Sequence, residues 1–206
     1  MKDHDRQGLA IRDAVARGDL EGARREAAVL AQLPVAGPID PAWKEKLDAM
    51  DLAARHVADA ASLKEAARGL GPLAKTCGDC HEMLGRPWPA VEMPGSRASS
   101  GVRPDMVRHE WAASQMWDGL AVPSDDAWKA GAMVLSEEPL VPEALTPGKS
   151  PVGQVGALEA SVHDLGRKAQ ATDETQTRMQ LYGEAMATCG ECHRWLGGGP
   201  RAERQR

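Results

Sequence analysis

The sequence predicts an all-α chain of two tandem four-helix-bundle domains, and three observations carry that reading. Apolar residues recur at helical spacing between Pro, Gly and capping residues, and no convincing alternating run marks a strand. The chain also repeats itself. A shift of 112 residues superposes Thr76-Cys77-Gly78-Asp79-Cys80-His81 on Thr188-Cys189-Gly190-Glu191-Cys192-His193, Leu84-Gly85 on Leu196-Gly197 and Gly71 on Gly183. Nearer the start of each half a shift of 105 places His4 on His109, Arg24 on Lys129 and Val29-Leu30 on Val134-Leu135, the difference being a longer loop in the second half. Finally, the stretch from Gly85 to Pro104 is rich in Pro, Gly and Ser and reads as a linker, giving domains at 1–86 and 104–206 joined by 87–103.

Taken in order, the first helix is expected near 3–17, stopped by Gly18, and Asp19 caps a second that runs to about Leu33. The run Pro34 to Pro38 breaks the chain, and Asp40-Pro41 pairs an N-cap with proline at the first helical position. Ser62-Leu63-Lys64-Glu65 has capping-box spacing and opens the fourth helix, which ends just after the Cys80-His81 pair and is expected to kink at Gly71-Pro72. The second half echoes this, with Ser124 as a cap, a Pro/Gly-rich break around 139–153, and Asp173 to Gln176 ahead of the last helix.

Composition suits a small helical protein with few large side chains of its own. The 206 residues contain no Phe, one Tyr and six Trp, and alanine is abundant. A core of this kind suits an inserted flat apolar group, and an alanine-rich composition explains it equally well. The net charge of -5 provides no basic footprint for nucleic acid. No run of about 18 apolar residues occurs, so no membrane span is expected.

All four cysteines fall in the two pentads Cys77-Gly78-Asp79-Cys80-His81 and Cys189-Gly190-Glu191-Cys192-His193. Cys-x-x-Cys-His is the pattern of covalent c-type haem attachment. Two thiols add across the two vinyl groups of one macrocycle, and the adjacent imidazole becomes the proximal iron ligand. Zinc would require the two cysteine pairs to share a metal and gives no reason for a histidine after each pair. A redox-thiol site would need a thioredoxin-like alternation of strands and helices. The expected cofactors are therefore two covalently attached haems c, held by Cys77, Cys80, His81 and by Cys189, Cys192, His193.

The motif stands at the end of each repeat, where class I cytochromes c and the dihaem peroxidases carry it near the start. In that placement and in helix count the chain resembles the class II cytochromes c, the cytochrome c-prime family, whose four-helix bundles attach haem near the C-terminus of the last helix. Each repeat is shorter than is usual in that family. Covalent haem attachment implies a periplasmic or otherwise extracytoplasmic protein, since bacterial c-type cytochromes are matured outside the cytoplasmic membrane. Because the start, Met1-Lys2-Asp3-His4-Asp5, is charged where a secretory signal is apolar, the expectation is a processed or excised form.

The ligand opposite each proximal histidine decides function. In an up-down-up-down bundle the start of the first helix lies beside the end of the fourth, so His4 and His109 are the expected distal ligands. Methionine competes, since low-spin class II proteins use one on the first helix. Met1 and Met106 align one turn before the histidines, Met116 aligns with Ile11 as a core position, and Met83 and Met93 are weaker candidates. An open iron would instead have apolar wall residues, for which Leu9, Ile11, Leu120 and Val122 can be named. His56 and His163 fall in the third helix of each half and read as surface or core residues. Trp111, Trp117 and Trp128 read as packing residues, Trp195 as a cover for a haem edge. Arg24, Arg25 and the arginine-rich tail read as solvated, with propionate pairing as their alternative role.

With both irons six-coordinate, no position is left for substrate, and the expected activity is that of an electron carrier between redox partner proteins rather than an enzyme. An open iron would bind nitric oxide or carbon monoxide as a scavenger or sensor. A dihaem peroxidase would need a distal acid/base group and longer domains.

Overall fold

The computed structural model describes residues 2–34, 40–85, 91–93, 102–137, 140, 142–146 and 152–199. Within them the chain is all-α, without a strand. The first half comprises α1 (Lys2–Ala16), α2 (Leu20–Leu30), α3 (Pro41–Ala58) and α4 (Leu63–Leu84). The second comprises α5 (Val102–Ala121), α6 (Asp125–Leu135), the single turn α7 (Pro142–Leu145), α8 (Val152–Gln170) and α9 (Thr175–Leu196). Residues 86–90 and 94–101 of the expected linker and the tail at 201–206 lie outside the described residues, and α5 begins at Val102, just inside that linker. Among the described residues no helix is long and apolar enough to cross a membrane.

Local chemistry sets the helix ends. Asp40, Ser62 and Ser124 accept from the backbone N–H groups of Ala42, Glu65 and Ala127, each satisfying a donor that the first turn leaves without an intrahelical partner. Ser62→Ala is expected to cost about 1 kcal/mol, measured as a shift in the urea unfolding midpoint at unchanged slope. α4 runs on through Pro72 to Leu84, and it and α9 stop at equivalent glycines, Gly85 and Gly197. The end of α1 is a Schellman motif: Gly18 takes φ +75°, its N–H bonds Val15 O at 2.9 Å, and Asp19 N–H bonds Ala14 O at 2.9 Å. That closure uses the carbonyls of Ala14 and Val15 and leaves Ala16 O for a partner from elsewhere.

Each half packs its helices in sequence, α1 on α2, α2 on α3 and α3 on α4, then α5 on α6, α6 on α8 and α8 on α9. Alanine permits close approach: Ala66, Ala67, Leu70, Leu73 and Ala74 of α4 are fully buried, and Trp128 fills the second half with its indole N–H on Ala169 O at 2.9 Å. The halves then interlock through α4 and α9, whose paired glycines explain one feature of the repeat. A Cβ at Gly71 would run into the backbone of Met179, and one at Gly183 would sit 2.9 Å from Arg68 Cα. Gly183→Ala is expected to destabilise the chain by about 1–3 kcal/mol, read by thermal unfolding, because backbone rather than a movable side chain fills the space.

α1 and α5 face one another in opposite directions, Gly8 against the Trp117 ring and the Arg12 guanidinium donating to Ser114 Oγ at 3.2 Å. Arg24, read from sequence as solvated, instead donates to Ala60 O at 2.8 Å and ties α2 to the start of α4. Ala60 lies in the short connection between α3 and α4, where its carbonyl has no intrahelical partner for Arg24 to displace.

Candidate functional site

The two Cys-x-x-Cys-His segments form the last turns of α4 and α9. Each approaches the first helix of the other half. Gly78 lies against Leu120 O and Gly190 against Val15 O, both closer than any side chain would allow. This brings His81 Nδ1 to 2.8 Å from Ala121 O and His193 Nδ1 to 2.6 Å from Ala16 O, each carbonyl at a helix C-terminus.

A carbonyl can only accept, so Nδ1 carries the proton in both rings and the lone pair falls on Nε2. An imidazole oriented by a backbone carbonyl on one nitrogen and presenting the other is the arrangement of a metal-ligating histidine. The helix C-terminus adds its partial negative charge and strengthens the carbonyl as an acceptor.

The thiols are poor thiolates. Burial, helped by Cys80 and Asp5, pushes Cys77 up to about 12, and burial, helped by Cys192 and Glu159, does the same to Cys189. Burial also raises Cys80 and takes Cys192 to about 11. A thiol-disulfide centre needs the opposite shift. Among the described residues no three of Cys77, Cys80, Cys189, Cys192 and their histidines gather as a metal-binding set, so the cysteine pairs do not share a tetrahedral site.

Around the second motif lies a cavity of about 460 Å³, within the range of cofactor pockets. Cys189, Cys192 and His193 of α9, Met106 and His109 of α5, Glu159 and Val162 of α8, and Arg12 and Ala16 of α1 line it. The expected distal residue His109 thus shares one cavity with His193. Burial holds its ring well below the usual histidine range, so it is a neutral imidazole at pH 7 and a competent ligand. Met106 also reaches the lining, whereas Leu120 is core and neither it nor Val122 lines this cavity.

At the first motif, Asp5 lies close enough to raise Cys77, which puts the start of α1 at that end of α4. His4 on the same turn has a buried Nε2 without a hydrogen-bond partner. Met83 and Met93 are exposed, as is Trp195 at 55%, and Ile11 and Met116 are core. His56 is exposed.

Sequence reading missed three contributors. His163 is core, but it stacks edge-on against His109 with ring centroids 5.0 Å apart. Glu159, one turn earlier, accepts from His163 Nε2 at 3.1 Å and from Leu140 N–H at 3.2 Å. The i, i+4 spacing of Glu159 and His163 was the available signal. The third is Arg12, a cation on the cavity wall held by Asp13 at 2.8 Å, which has no sequence signature.

Between the sites, burial pushes the Asp118 carboxyl up to about 6, with Arg12 opposing and Asp5 adding. Between pH 3.8 and about 6 the folded chain therefore binds more protons than the unfolded chain, so stability falls as pH rises through that window and is level above it. Asp118→Asn is expected to raise Tm at pH 7 and leave it unchanged below pH 4, a comparison thermal unfolding makes directly.

No family model, curated protein or solved structure matches this chain.

Proposed function

We propose that the chain is a dihaem c-type cytochrome, two tandem class II-like units that carry single electrons between redox partner proteins outside the cytoplasm. The observation that supports it most is the repeated contact: His81 and His193 each give Nδ1–H to a helix-terminal carbonyl, the orienting bond of a metal-ligating imidazole, next to two protonated thiols. The fit to a covalently bound haem is chemical as well as spatial. Cys77 and Cys80, or Cys189 and Cys192, provide the two thiols that vinyl addition consumes, and the apolar cavity at the second motif provides room for a macrocycle. When bound, each haem supplies a one-electron couple.

The chain's own residues do the rest. His81 and His193 serve as proximal ligands, oriented by Ala121 O and Ala16 O, so that the orientation of each comes from the opposite half. His4 and His109 serve as distal ligands, each on the first helix of its own half. Arg12 on the cavity wall balances propionate charge at the second site. With His4 and His109 so engaged, neither iron would have a position for an exogenous ligand.

Absorption spectra of the purified protein, ferric and then dithionite-reduced, with and without carbon monoxide, test this reading. Sharp low-spin bands that ignore carbon monoxide are expected. A Soret shift on adding the gas would mean an open iron and transfer the assignment to a gas-binding cytochrome.

A further inference from the structure

The second site carries a polar group on its distal side that the repeat does not duplicate. His109, Glu159 and His163 bring one donor atom each to within 4.8 Å of one another, the one such group of three among the described residues. Glu159 is 4% and His163 2% exposed, so both are sealed from solvent. Glu159 is fixed from two directions, by His163 Nε2 and by the Leu140 N–H, and it lines the cavity together with His109. His163 Nε2 donates to the carboxylate, so in the neutral ring Nδ1 is an acceptor, and that Nδ1 is buried without a partner.

An orphaned acceptor of this kind, edge-on to a neighbouring imidazole, matches what His109 requires. A histidine that gives one nitrogen to a metal keeps an N–H on the other, and that N–H needs an acceptor. The two candidate acceptors beside His109, the Glu159 carboxylate and the His163 ring, stand on successive turns of α8, within the 4.8 Å group. In the 112-residue register the first half has Leu47 where Glu159 stands and Asp51 where His163 stands, so the same pair is absent there.

We infer that Glu159 and His163 are positioning residues for His109 as the distal ligand of the second haem, and that they make the two haems unequal in potential. This rests on the dihaem reading. A carboxylate accepting from the N–H of a ligating imidazole raises the ligand's basicity and favours the ferric state, so the second haem has the lower potential for a given burial.

The test uses the intact haem-loaded protein and the variants Glu159→Gln and His163→Gln, each compared with wild type by spectroelectrochemical titration and by electron paramagnetic resonance of the ferric form. Two redox waves are expected in wild type. In Glu159→Gln one wave moves to higher potential and one low-spin signal changes its g-values, while the other wave and signal stay fixed. His163→Gln is expected to move the same wave, and Glu159→Asp to restore it in part. Two bound haems with unmoved waves in both glutamine variants would overturn the inference and leave the dihaem reading intact. A non-haem metal ion bound one per chain in wild type and lost from both variants would also overturn it, making the cluster a metal site. Protein without covalent haem would overturn the dihaem reading itself.

Discussion

On the proposed dihaem reading, replacing His109 with alanine is expected to convert one haem from low to high spin and to open it to carbon monoxide, with the other unaltered. The imidazole shares a cavity with His193 across the second motif and is neutral at pH 7 because it is buried. Met106 also lines that cavity, one turn away, and is the residue whose capture of the iron would hide the effect. A double variant with Met106→Leu removes that route. The Soret and charge-transfer bands report spin state, and a carbon monoxide titration should saturate half of the haem. An unchanged spectrum in both variants would remove His109 from the coordination sphere.

Changing Cys189 and Cys192 together to alanine should halve the covalently bound haem and leave the first site loaded. Both thiols sit at the cavity, and the two are protonated neutral groups rather than thiolates committed to a metal. The effect should extend beyond the lost cofactor. The cavity of about 460 Å³ is built from α1, α5, α8 and α9, so emptying it removes apolar contacts from both halves at once. The variant should therefore unfold at lower temperature than wild type, and the first haem should be released from its native spectrum in the same transition. Separate transitions for the two halves would contradict the interlocking of α4 with α9 and of α1 with α9.

What could be read from the chain before its structure follows a physical division. Helix ends were legible because they are local: Ser62, Ser124, Asp40-Pro41 and Gly18 act on backbone groups within a few residues of themselves. The repeat was legible too, and Gly71 on Gly183 proved to mark a helix crossing that admits no side chain. The crosswise contacts were not. Ala16 and Ala121 contribute carbonyl oxygens, which every residue has, so no sequence feature announces that each orients the other half's histidine. Glu159 and His163 were hidden for a different reason: His163 fell out of register with His56, and its partner across the cavity is on another helix, 54 residues away in sequence. Arg24 was misread because a long cation can reach a connection carbonyl brought beside it by tertiary packing, here Ala60 O between α3 and α4, instead of remaining in water.

The intact mass of the protein, matured in an extracytoplasmic compartment and measured under denaturing conditions beside a pyridine haemochrome assay, tests the dihaem assignment most directly. Two covalent haems per chain, each with the haemochrome band of a doubly thioether-linked macrocycle, are expected, and peptide mapping should find them on the peptides containing Cys77-Cys80 and Cys189-Cys192. A mass equal to the bare polypeptide, with four titratable thiols or with zinc in place of haem, would contradict it.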